Sequence, residues 1–228
     1  MNSENLINKK NLILLGAGGV ATDIIEIVDR CYQNKFCEII LLDDNKPIGC
    51  KIFNFSVKGK ISSLKNFSNK DSLVVVAVGN PELRKKFFNF AKNLNFSFQS
   101  IIDSTSLIKS PVKIGDGVII FPRCIISGNT SIGNNTFIDT NVLIGHDVSI
   151  KKHIVINPMA CILGSVKIHE GAQVGCSAQI HLNVNIGKWS KVSMGSSVYK
   201  DVPKFFTVSG NPARKISNKL PKIGISNE

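Results

Sequence analysis

From residue 102 to residue 198 every sixth position is Ile or Val: Ile102, Ile108, Ile114, Ile120, Ile126, Ile132, Ile138, Ile144, Ile150, Ile156, Ile162, Ile168, Val174, Ile180, Ile186, Val192 and Val198. An amphipathic helix repeats at three and four, and a half-buried strand at two. A period of six predicts a parallel β-helix of hexapeptide repeats, with one short strand and one turn per hexad and eighteen residues per triangular coil. The β-branched side chains of the array then fill the lumen. Residues two places earlier agree: Val112, Val118, Cys124, Thr130, Thr136, Val142, Val148, Ala160, Val166, Ala172, Ala178, Val184, Ser190 and Ser196 are small or β-branched, as a narrow interior requires. Glycine follows the lumen residue at Gly115, Gly133, Gly145, Gly175 and Gly187; the expected reason is a positive φ at a tight corner.

Ahead of the array the periodicity is different. An apolar strand over Asn11 to Leu15 runs into Gly16, Ala17, Gly18 and Gly19, then an apolar helical stretch from Val20 to Val28. A second strand, about Glu38 to Leu42, ends in Asp43, Asp44 and Asn45, and a Val-rich third, Ser72 to Val78, ends in Gly79 and Asn80. A helix over Pro81 to Leu94 carries Pro in its first turn and is expected to present Arg84, Lys85 and Lys86 on its exposed side. This order predicts a small parallel Rossmann-like α/β sheet. The chain accordingly divides into a Rossmann-like α/β domain over 1–100, a β-helix over 101–200 and a C-terminal tail over 201–228, whose polar, Lys-containing end after Arg214 is expected to fray.

Ligands of such sheets bind beyond the carboxyl ends of the strands. Gly16, Gly18 and Gly19 allow the backbone to approach a phosphate, which the following helix N-terminus favours. Asp43 and Asp44 can take hydroxyls or a base edge, and Gly79 and Asn80 close the same edge. Ala21 stands at the third glycine position of a dinucleotide fingerprint, so the turn reads as nucleotide-binding or as a packing turn.

A net charge of +12 raises the question of nucleic acid. The excess is dispersed, with fourteen basic against nine acidic residues over 1–100 and fourteen against seven beyond, which argues against a focused stripe. Phe121, Phe137, Trp189 and Tyr199 are too scattered to stack bases. No apolar run reaches the roughly 18 residues of a membrane span, and Met1 to Lys10 is polar rather than a signal sequence, so a cytoplasmic protein without membrane insertion is expected. Six cysteines without a CxxC pair read as thiols, not disulfides or metal ligands.

All four histidines lie in the repeats. His169 and His181 directly follow lumen residues and therefore point outward, whereas His146 sits in a turn beside Asp147. A neutral imidazole is a suitable general base, and an adjacent carboxylate can fix its tautomer. One coil later, eighteen residues on, comes Gly164, whose backbone can approach a ligand lying across the coils.

The glycine turn, Asp43 and Asp44, the Gly79 to Arg84 segment, the hexapeptide array, His146 with Asp147, and the terminal Gly210, Asn211, Pro212 and Ala213 together resemble the sialic acid O-acetyltransferase family that also contains the PglD-type nucleotide-aminosugar N-acetyltransferases. The likeness spans about residues 10 to 216. It implies a left-handed β-helix, a homotrimer, and acetyl-CoA as co-substrate between neighbouring helices, with no metal. It also implies that His146 deprotonates the acceptor, Asp147 orients His146, Gly164 faces the thioester carbonyl and Asn157 lies on the acetyl-CoA side. Members usually carry a histidine after the glycine turn, here Val20, and another ahead of the stretch equivalent to Ile156, Asn157 and Pro158, here Val155.

The activity so implied is acetyl transfer to the 4-amino group of a nucleotide-linked 4-amino-4,6-dideoxy sugar. O-acetylation of sialic acid or a related nonulosonate is the neighbouring reading. A non-catalytic trimeric scaffold and a nucleic-acid binder stand as readings of other classes.

Overall fold

The computed structural model describes residues 9–217. The first hundred residues form strands β1 (Asn11–Leu15), β2 (Ile39–Leu42), β3 (Lys51–Ile52), β4 (Phe55–Gly59), β5 (Ser72–Val76) and β6 (Ser97–Phe98), with helices α1 (Gly19–Cys31) and α2 (Pro81–Asn93). The sheet order is β3-β4-β2-β1-β5-β6, and β1 lies between β2 and β5 in parallel register. Its central strands are apolar on both faces because helices and the β-helix cover both. The β3–β4 hairpin and β6 lay outside the expected elements; they are short and carry little periodicity.

From Ile101 onward the chain winds into the left-handed β-helix. Residue i pairs with residue i+18, as in Ile120 with Ile138 and Ile126 with Ile144. The lumen array is buried from Ile120 to Val198, while Ile102, Ile108 and Ile114 at the open first coil are only partly so. Burying each such side chain is worth ~1.5–3 kcal/mol.

The corners correct one expectation. Positive φ recurs at every sixth residue from Gly117 to Gly195, with φ between 54° and 70°, and most of these residues are not glycine: Asn129, Asn135, Asn141, Asp147, His153 and Ser165 are among them. Asn and Asp tolerate this left-handed region best. The glycines that follow lumen residues are needed instead for close approach between coils. A Cβ on Gly133 would lie 2.7 Å from the Lys151 carbonyl carbon, one on Gly145 2.7 Å from the Gly164 nitrogen, and one on Gly175 2.5 Å from the Met194 nitrogen.

The strand residue that alternates with each lumen residue points outward, and the three faces differ. The first face carries Ile101, Ile119, Phe137 and Val155, then Gln173 and Lys191. Its four apolar residues join the core of the N-terminal sheet, with Leu12, Leu14 and Ile24. On the second face stand Leu107, Ile125, Leu143 and Cys161. The third face is polar, with Lys113, Ser131, Ser149, Lys167 and Asn185.

Polar contacts seal the seam on both flanks of the first face. Arg30 of α1 pairs with the buried Asp103, and the Tyr32 hydroxyl accepts from the Ile102 N–H at 2.8 Å. Lys85 of α2 meets Glu170 at 2.8 Å, and Lys188 approaches the other oxygen at 3.4 Å. Arg84, expected to be exposed, is fully buried in this seam, because α2 has the β-helix and not solvent on that side.

Beyond Val198 the chain does not leave the β-helix at once. Val202 and Val208 complete the lumen, and Thr207–Ser209 extends the first-face sheet before Arg214–Ser217 folds back antiparallel to it. Of the polar end expected to fray, residues 215–217 pair in that last strand instead, and residues 218–228 lie outside the described residues. Among the described residues no helix is long and apolar enough to cross a membrane.

Candidate functional site

His146 and Asp147 occupy the corner between the second-face strand Leu143–Ile144 and the third-face strand Ser149–Ile150. The left-handed conformation of Asp147, φ 59°, swings its carboxylate back onto its neighbour: His146 Nδ1 and Asp147 Oδ2 are 2.6 Å apart. The other carboxylate oxygen accepts from the Asn129 amide, one coil below. These bonds from His146 and Asn129 hold the Asp147 carboxyl below its ordinary range. An ionised Asp147 keeps the proton of a neutral imidazole on Nδ1 and leaves Nε2 as the free base.

Gly164 lies directly against that ring. A Cβ on it would meet His146 Cε1 at 2.8 Å and Nε2 at 2.9 Å. Its carbonyl accepts from the Asn183 N–H at 3.1 Å, while its own N–H meets no acceptor among the described residues. The His146 and Asp147 side chains are 68% and 45% exposed, open to a substrate arriving from outside the coil. The sequence reading missed Asn129, although the eighteen-residue offset from Asp147 points to it. His169 and His181 are exposed, as their spacing implies.

The residues of the N-terminal domain gather separately, at the carboxyl edge of the parallel sheet. Gly16 adopts φ 114°, and a Cβ there would strike the Ala77 carbonyl oxygen at 2.7 Å. Gly18 and Gly19 open α1 with free space where a Cβ would sit. Asp43 organises this edge: one oxygen accepts from the Ala17 N–H at 2.7 Å, the other from Asn45 and Lys46. Asp44 accepts from Ile61. Asn80 caps α2 through Glu82 and Leu83, and Val20 packs 3.9 Å from the Cβ position of Gly79. The two glycine-bearing turns therefore form one edge.

Asn157 falls in neither group. It stands at the corner between the first and second faces, and its amide donates to the Val174 carbonyl at 2.7 Å. His153 is buried in the domain seam, where Nδ1 lies 2.8 Å from the Asn135 amide. Burial pushes its pKa down to about 4. Val155, two residues on, is buried in the N-terminal core.

Comparison with known proteins matches residues 11–90 to the PglD N-terminal domain. Over 222 residues the chain is 27% identical to the GDP-perosamine N-acetyltransferase of Escherichia coli O157:H7, covering 92% of this chain and 98% of that one. Serine acetyltransferases match over only 16–19% of their own length. Among solved structures, the acetyltransferase domain of PglB from Neisseria gonorrhoeae FA1090, in complex with acetyl coenzyme A, superposes with a TM-score of 0.86 at 24% identity, covering 92% of this chain and all of that one. PerB from Caulobacter crescentus, in complex with CoA and GDP-perosamine, gives 0.84 at 24%, covering 91% and 97%. The resemblance to PglD-type proteins read from the sequence thus holds for the N-terminal domain and for the fold of both parts.

Proposed function

We propose that the chain transfers an acetyl group from acetyl-CoA to the 4-amino group of a nucleotide-linked 4-amino-4,6-dideoxy sugar. The observation that carries this reading is His146, held by Asp147 through Nδ1, with its ring against Gly164, whose N–H is unengaged among the described residues. The sugar amine attacks the thioester carbonyl as His146 Nε2 takes its proton. The oxyanion faces the Gly164 N–H. Collapse breaks the carbon–sulfur bond, and the proton passes from His146 to the departing thiolate. No covalent enzyme intermediate and no metal enter. The edge formed by Gly16, Gly18, Gly19, Asp43, Asp44, Gly79 and Asn80 would hold the nucleotide, and the relative acting on GDP-perosamine makes a GDP-linked sugar the first to test. Asn157 would contribute to the acetyl-CoA side from the next corner.

The layout supports a homotrimer. The N-terminal domain covers the first face, and His146 lies at the corner opposite that face. A nucleotide sugar held on one chain therefore reaches His146 of a neighbouring copy more directly than its own. The uncovered apolar second face offers the contact.

The test is free thiol released from acetyl-CoA, followed across UDP-, GDP- and dTDP-linked amino sugars alongside sialic acids. Release with an amino sugar alone is the expected result. Release with sialic acid alone would replace this reading by O-acetylation, and release with none would remove acetyl transfer.

A further inference from the structure

Arg84 is the largest fully buried side chain among the described residues, and its position is unusual for an arginine. It meets no carboxylate. Nε donates to the Asn135 carbonyl at 3.1 Å, and one terminal nitrogen donates to the carbonyls of Val76 at 2.8 Å and Val78 at 2.9 Å. The other donates to the Asn135 side-chain oxygen at 2.9 Å. Asn135 answers by donating from its amide to the Arg84 carbonyl at 3.0 Å. Burial without a counter-charge pushes the guanidinium pKa down to about 9, a desolvation cost that an apolar residue filling the same space would not carry. Filling space does not require it.

Its partners indicate what does. Val76 and Val78 flank Ala77, whose carbonyl oxygen lies 2.7 Å from the Cβ position of Gly16, as does Val78 Cγ1. The next residues are Gly79 and Asn80. The guanidinium thus grips the chain where β5 ends and both glycine-bearing turns meet, while its other end holds a β-helix corner. We propose that Arg84 is a positioning residue that fixes the Val76 to Asn80 segment against the β-helix at Asn135, and so sets the geometry with which the sheet edge captures the nucleotide of a nucleotide-linked sugar. This inference rests on the nucleotide-binding part of the function proposed above and falls with it.

Binding of UDP, GDP and dTDP to the full chain identifies the nucleotide taken most tightly, and acetyl-CoA is titrated in parallel. With Arg84→Met, and with Asn135→Ser from the coil side, affinity for that nucleotide is expected to fall about tenfold or more, the scale on which small misplacements act, while acetyl-CoA affinity stays unchanged. Arg84→Lys keeps the charge and loses the forked geometry, so it should show the same selective loss and secures the test if the Met variant does not fold. Equal losses for both ligands, or a lowered melting temperature with nucleotide affinity intact, would make Arg84 purely structural. Failure of the parent chain to bind any of the three nucleotides would instead overturn the nucleotide-site reading itself.

Discussion

His146 keeps one ring nitrogen free because Asp147 holds the other, and Asp147 can do so because its corner is left-handed and Asn129 takes the remaining oxygen. Removing the imidazole with His146→Ala is expected to lower turnover by about 10²–10⁴, with assembly unchanged; an unaltered rate would take His146 out of the mechanism. Gly164→Ala is the sharper test of geometry. Its added methyl would sit 2.8 Å from His146 Cε1, and the imidazole is a flexible, exposed side chain that can swing away. Melting temperature should hold while turnover falls, measured by differential scanning calorimetry and thiol release on the same preparation. The His146, Asp147 and Gly164 constellation was legible in the sequence because a strict eighteen-residue coil turns spacing into stacking. Arg84 was not: beside Lys85 and Lys86 it reads as part of a solvated helix face, and only the docking of α2 on the coils reverses that.

At the scale of elements, the six-residue period disclosed the coils but misassigned their glycines, since one-dimensional spacing does not separate a corner's φ from the backbone of the coil stacked above it. The seam between α2 and the coils is a second feature that periodicity could not disclose, and its buried His153 is expected to contribute acid sensitivity to the fold. His153 has a folded pKa near 4 against 6.5 when free. Between these values the unfolded chain binds the proton and the folded chain does not, so stability contributed at higher pH is lost as pH falls from about 6.5 towards 4. Asp147 is depressed from 3.8, so its loss comes lower still. The midpoint of thermal unfolding should therefore drop across this window, and His153→Phe should flatten the slope relative to the parent. Parallel slopes in the two proteins would place the acid sensitivity elsewhere.

For the whole molecule, the decisive property is that a triangular prism has three faces and this chain treats each differently. The first is apolar and covered by its own N-terminal domain; the third is polar and suits water. The second places Leu107, Ile125 and Leu143 in one ladder, 55%, 41% and 41% exposed, an apolar patch a lone soluble chain has no reason to display. A second copy is the occupant this chemistry fits, since His146 stands at the edge of the same face, at the corner opposite the face that its own N-terminal domain covers. Charging the ladder with Ile125→Glu and Leu143→Glu should cost little in the fold of the isolated chain, because neither residue contributes to the lumen. It should convert the proposed trimer to monomer in sedimentation velocity, and the proposed transfer should fall with it although His146, Asp147 and Gly164 are intact. A trimeric variant would move the interface to another face, and a monomer with full activity would show that one chain builds the site alone.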